Sequence, residues 1–185
     1  MKRFQHYLDT LSRLNYLGKG SDICFLFHGG MLFSSPDKWW GDFKKRASTH
    51  EGIDITYYRD SRGNSGRFDH TTRVPAMEDG TILNICNDFL GRSIITEPLC
   101  ANSVPDFRLL YVYAHVTPFE NAVAGARVWA DQEIAFVCPT DKNPQMPPHL
   151  HFSCFEVPVS IPLGRLDWDL FSKGSEVRFI HPLFL

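Results

Sequence analysis

The chain has 185 residues, enough for one ordinary domain with a real core. Its 43% hydrophobic, 14% aromatic and 22% charged content excludes a disordered or membrane-spanning chain. The formal net charge of −2 gives no basis for expecting nucleic acid or an anionic membrane as partner.

Phe4, Leu8, Leu11 and Leu14 recur at helical spacing, so Lys2 to Leu17 is expected to form an amphipathic helix that Gly18 stops. Gln5, His6, Asp9 and Arg13 interrupt any apolar stretch after Lys2 and Arg3, so no signal peptide is read and a cytoplasmic protein is expected. The apolar run Ile23 to Phe33 contains His28 and two glycines and is far short of the roughly 20 residues a membrane span needs. After Gly20 come short runs rich in β-branched and aromatic residues. They are Ile23–Phe27, Ile53–Tyr58, Thr81–Cys86, Ser93–Thr96, Arg108–His115, Glu133–Val137 and His149–Glu156. Gly, Pro, Asn and Asp separate them, the pattern of a mostly β, antiparallel domain. Val74 to Gly80 reads as an edge followed by a tight turn, and the polar stretch Arg59–Arg73 as an exposed loop. The aromatic stretch 158–185 is expected to pack against the sheet. Five cysteines, Cys24, Cys86, Cys100, Cys138 and Cys154, lack C-x-x-C spacing and are read as free thiols.

Three histidine patterns can carry chemistry. In His50-Glu-Gly-Ile-Asp54 the residues after Gly52 have strand character, so Glu51 points away from the face shared by His50, Gly52 and Asp54. A straight strand would hold His50 and Asp54 about 13 Å apart at ~3.3 Å per residue, so a shared metal requires a bend, which Gly52 permits. His50 is therefore expected on a loop leading into the strand of Asp54. His149 and His151 in Pro148-His-Leu-His-Phe152 project to one side of a strand, about 6.6 Å apart, with Leu150 and Phe152 facing the core. In Leu110-Tyr-Val-Tyr-Ala-His115, alternation puts His115 on the face of Tyr111 and Tyr113. Trp39-Trp40 is read as packing or as a groove wall, and His6, His28, His70 and His181 as structural or surface residues.

Taken in order, these pieces resemble the M23 (LytM/lysostaphin-like) family of zinc metallopeptidases, which cleave peptides of bacterial peptidoglycan. The resemblance runs from about Thr49 to Glu156. His50-Glu-Gly-Ile-Asp54 is similar to the family's H-x-G-x-D, Tyr113-Ala-His-Val116 to its Y-x-H-L, and Pro148-His-Leu-His-Phe152 to its G-P-H-L-H-F. Val74 to Leu83 resembles the strand–turn–strand between them, and Ala124 to Val128 a later V-x-x-G-x-x-V segment.

The resemblance implies an antiparallel sheet of LytM/lysostaphin (duplicated-hybrid-motif) type. The expected organisation is one domain over 1–185, with an N-terminal helix in 1–20, a catalytic core over 49–156 and a C-terminal packing segment over 158–185. It implies Zn2+ held by His50, Asp54 and His151, with His115 and His149 as catalytic histidines and a peptidoglycan-type peptide as substrate. Two imidazoles, one carboxylate and an open position also form the inventory of a hydrolytic zinc site. A non-catalytic LytM-like module binding cell-wall peptide or a partner protein is the alternative. A cupin-type oxygenase fits poorly, because its H-x-H comes first and here it comes last. Two departures bear on the substrate groove: the segment Cys138 to Pro147 is not rich in Gly, Ser and Thr, and Ser153 replaces the glutamate that commonly follows H-L-H-F. The family works in the periplasm or outside the cell, in tension with the cytoplasmic reading.

Overall fold

The computed structural model describes residues 2–99, 104–140 and 145–184; Cys100 and parts of the loops around 98–107 and 138–147 lie outside them. Helix α1 (Lys2–Leu14) opens the chain. Strands β1 (Ile23–Leu26), β2 (Gly52–Ile55), β3 (Tyr57–Asp60), β4 (Ser65–Arg67), β5 (Arg73–Pro75) and β6 (Gly80–Asn87) follow. The remaining elements are β7 (Arg92–Pro98), β8 (Phe107–Pro118), β9 (Arg127–Val128), β10 (Glu133–Val137), β11 (Leu150–Pro158), helix α2 (Trp168–Lys173) and β12 (Arg178–Ile180). The fold is mostly β, and its strand pairings among the described residues are antiparallel, as the alternating runs predict. Among the described residues, nine strands make one sheet whose spine runs β12-β11-β8-β7-β6-β9, and β1, β3 and β4 form a second. No helix among the described residues is long and apolar enough to cross a membrane.

Two strands dominate. β8 and β11 pair over eight positions, from His151–Ala114 to Pro158–Phe107. β2 lies along the first half of β11, with Asp54 opposite His151, and β12 along the second half. β8 pairs with β11 through Ala114, and β10 pairs with it from Val116 onward. His115 sits at that changeover.

The two faces of this pair are covered differently. Tyr111, Tyr113, Phe152 and Cys154 face α1, whose Phe4, Tyr7, Leu8 and Leu11 are buried against them. Leu110, Val112, Ala114, Phe155 and Val157 face the C-terminal stretch, where Leu166 and Phe171 cover them. Phe155 and Phe171 stack at 4.4 Å. Each such fully buried side chain contributes about 1.5–3 kcal/mol of apolar burial.

Several expectations need correction. The helix ends at Leu14 rather than Leu17, because the Asn15 amide donates to the Leu11 carbonyl (2.9 Å) and the backbone turns left-handed at Tyr16 and Gly18. Asn15 also exchanges two bonds with the backbone of Arg73, tying the helix end to β5. The run Ile53–Tyr58 is two strands in two sheets, with a corner at Thr56, whose hydroxyl donates to the Pro148 carbonyl (2.7 Å). The expected loop Arg59–Arg73 contains β4. Its hairpin turn closes because Asp60 accepts from the backbone of Arg62 and Asn64.

Candidate metal centre

His50 ends a long loop that leads into β2. Arg46 braces it, donating to the carbonyls of Asp37 and Gly30 at 3.0 Å each. Gly30 is required there, since a Cβ would stand 2.7 Å from the Lys38 backbone. His50 exchanges backbone bonds with Ser34 and Ser35, so it lies on the loop before β2, as expected. Gly52, however, is needed for space rather than for a bend. A Cβ on it would lie 2.8 Å from His151 Nε2 and closer still to Ser153 Oγ across the β2–β11 ladder.

The loop, β2 and β11 bring three donor atoms together. His50 Nε2 lies 3.0 Å from His151 Nδ1 and 3.2 Å from Asp54 Oδ1, and His151 Nδ1 lies 2.8 Å from the same oxygen. All three residues are buried. Each is fixed from behind. His50 Nδ1 donates to the Leu32 carbonyl (3.1 Å), and His151 Nε2 meets Ser153 Oγ (2.6 Å). Asp54 Oδ2 accepts from Trp39 Nε1 (2.5 Å) and from Arg46 at 3.5 Å.

With its Nδ1 proton on Leu32, a neutral His50 can only present a lone pair inward. Lone pairs and a carboxylate converging in a buried site repel unless a cation or a shared proton lies among them. Their 2.8–3.2 Å separations are near the edge of about 3.4 Å expected for ligands about 2.0–2.1 Å from a tetrahedral zinc. The residues present fit a zinc ion.

His149 immediately precedes β11 and donates Nδ1–H to the Pro147 carbonyl (2.9 Å), leaving Nε2 3.7 Å from Asp54 Oδ1. Burial pushes its pKa down to about 3, the charge of His115 adding to that and Asp54 opposing it. Burial likewise lowers His151 against the pull of Asp54. For Asp54 burial acts upward, but His50, His149 and the hydrogen bond from His151 outweigh it and hold the carboxyl well below the usual range.

His115 breaks the expected alternation. Its φ is 62°, left-handed, at a register shift between β7 and β8. The bulge delivers its ring to the Ala114 face, opposite Tyr111 and Tyr113, where it lies 4.9 Å from the His149 ring and 5.7 Å from the His151 ring. His115 Nδ1 meets Asp88 Oδ1 (3.1 Å), which leaves Nε2 for the cleft it lines.

The cleft over these groups has a volume of about 230 Å³. Trp40, Phe89, Met146 and Trp168 supply apolar wall. Glu51 lines the rim, with Oε1 4.0 Å from His151 Nε2; it stands behind that ring and away from the donor cluster, as its place in the sequence suggests. Sequence reasoning missed the supporting shell. Trp39 proves to be the anchor of Asp54, Asp88 backs His115, and Trp168 of the C-terminal stretch stands 5.7 Å from His151. An Asp in the β6–β7 hairpin carries no signal of its own. For Trp39, its position shortly before the H-x-x-x-D pattern was the available clue.

No protein-family model matches the chain, and no curated protein sequence matches it. Among solved structures it is similar to lysostaphin, at 19% identity over 75% of this chain, with a TM-score of 0.46. That match spans 45% of the lysostaphin chain, less than half of its length. LytU is similar at 18% identity over 75% of this chain and 81% of that one, with a TM-score of 0.40. The SpoIIQ–SpoIIIAH pore-forming complex is similar at 16% identity, covering 78% of each chain, with a TM-score of 0.40.

Proposed function

We propose that this chain is a zinc-dependent endopeptidase of the M23 type, hydrolysing peptide bonds in peptidoglycan-type peptides. The observation that carries the reading is the convergence of His50 Nε2, Asp54 Oδ1 and His151 Nδ1 in one buried cluster, with two further histidines beside them. The ordered resemblance of the surrounding motifs to that family supports it. Zinc, when bound by His50, Asp54 and His151, supplies a Lewis acid that polarises a carbonyl and acidifies water to a pKa of about 7.

The chain's own groups do the rest. His149 is held neutral by burial with its Nδ1 proton on Pro147, so its Nε2 lone pair faces the cluster and can accept a proton from water. His115 presents Nε2 from the other strand. Between them the two imidazoles take the proton from water and return one to the leaving amine as the C–N bond breaks. Trp40, Phe89, Met146 and Trp168 offer apolar surface against which a peptide can pack. That all five histidine and aspartate positions are filled favours cutting over the non-catalytic alternative.

The test is elemental analysis of the purified protein together with hydrolysis of purified peptidoglycan, with and without a chelator. One zinc per chain and chelator-sensitive cleavage is the expected result. Zinc without cleavage would move the reading to a binding module, and absence of zinc would end it.

A further inference from the structure

Asp88 sits in the hairpin between β6 and β7, and five donors converge on its carboxylate. Oδ1 accepts from Leu90 N (2.9 Å), Gly91 N (2.6 Å) and His115 Nδ1 (3.1 Å). Oδ2 accepts from Ser93 Oγ (2.8 Å) and His115 N (2.9 Å). The first two bonds are those of an ordinary Asx turn, and a hairpin would need no more. The other three reach outside the turn, to a strand neighbour and to both ends of one histidine. The side chain is 2% exposed, so water does not share this work.

We propose that Asp88 is a positioning residue that fixes His115 for chemistry, locking its Nδ1–H tautomer and its left-handed backbone together. A non-glycine residue at φ 62° is strained and persists only where its surroundings hold it. Here Asp88 Oδ2 holds the His115 N–H on one side, while the Cys138 N–H holds its carbonyl (2.8 Å) on the other. The same carboxylate takes the Nδ1 proton, so Nε2 can only face the cleft. All five partners donate, so an aspartate satisfies each of them, whereas an asparagine would turn an amide NH2 against at least one.

The network continues away from the site. Trp168 Nε1 donates to Ser93 Oγ (2.8 Å), which frees the Ser93 hydroxyl proton for Asp88. Docking of α2 is thereby wired to the orientation of His115. His149 is instead backed at Nδ1 by a backbone carbonyl, that of Pro147.

The kinetic half of this inference rests on the peptidase reading, and the tautomer half does not. Two measurements therefore separate them. Long-range 1H–15N NMR on the histidine-labelled protein as purified should find the His115 proton on Nδ1; a bare Nδ1 would overturn the proposal without any variant being made. D88N should retain the wild-type zinc content and KM within about twofold, while kcat falls about a hundredfold or more, as expected when a catalytic imidazole loses the group that fixes its tautomer. A D88N kcat within threefold of wild type, with the zinc retained, overturns it too. Should D88N not fold, the wild-type tautomer decides alone. A wild-type protein that cleaves nothing ends the peptidase reading and leaves the tautomer as the measure of Asp88.

Discussion

The two faces of the β8–β11 pair are built from alternate residues of the same strands, yet they answer to different physics. On the α1 face, Tyr113, Phe152 and Tyr7 meet ring to ring, at 5.3 Å for Tyr113–Phe152 and Tyr7–Phe152. The hydroxyls of Tyr113 and Tyr7 end in hydrogen bonds, accepting from Met77 N (2.8 Å) and donating to the Pro75 carbonyl (3.3 Å) respectively, but the rings themselves pack by shape. On the opposite face His151 and Ser153 are equally buried, but the imidazole is tied through both nitrogens, Nδ1 to Asp54 Oδ1 (2.8 Å) and Nε2 to Ser153 Oγ (2.6 Å), as well as packed against Trp168. A one-residue slip of register would exchange the faces and destroy both. Burial alone therefore does not distinguish a core from a reaction site; what lies behind each polar atom does.

That contrast can be broken by substitution. His151→Ala gives the largest effect: zinc and hydrolysis should be lost together, and stoichiometric zinc in the folded variant would refute the ligand assignment. His149→Ala should keep its zinc and lose about 10²–10⁴-fold in turnover, the usual worth of a positioned acid–base group; near-wild-type hydrolysis would remove it from the mechanism. Phe152→Ala, one residue from a ligand but on the other face, should cost about 3–5 kcal/mol in denaturant unfolding of the metal-free protein. The folded fraction should still take up zinc, and a variant of normal stability that failed to do so would show that the faces are not independent. The smallest effect is expected from Trp39→Phe, which keeps the ring beside His149 and removes the bond to Asp54 Oδ2. Chelator competition should show about 10–100-fold weaker zinc binding, the usual effect of losing a group that orients a ligand.

Much of this was legible in the sequence, and the reasons differ from residue to residue. The strands around Tyr111 and Phe152 announce themselves because alternation is a local property. The spacing of His149 and His151 fixes their shared side for the same reason. His50 and Asp54 could be paired only by requiring a bend, and the loop that supplies it is held by Arg46, which no spacing rule points to. The roles of Asp88 and Trp39 depend on partners 27 and 15 positions away, at His115 and Asp54; for Asp88 nothing local signals this, and for Trp39 only its nearness to the first histidine pattern does. His115 was placed on the wrong face because a bulge with histidine at positive φ leaves no mark; a glycine there would have.

Glycine adopts the backbone of residue 115 without strain, and asparagine nearly so. On the proposed reading, backbone strain and chemistry therefore pull in opposite directions at this one position. On that reading, a lineage of this fold relieved of its reaction would shed that backbone strain by giving up the imidazole at 115, against the loss of its bond to Asp88. It would gain nothing comparable at 151, where the strand geometry suits any ordinary side chain. Residue 115 is accordingly the place to look first when sorting working descendants from retired ones. Its identity records whether strain is still being tolerated for a purpose.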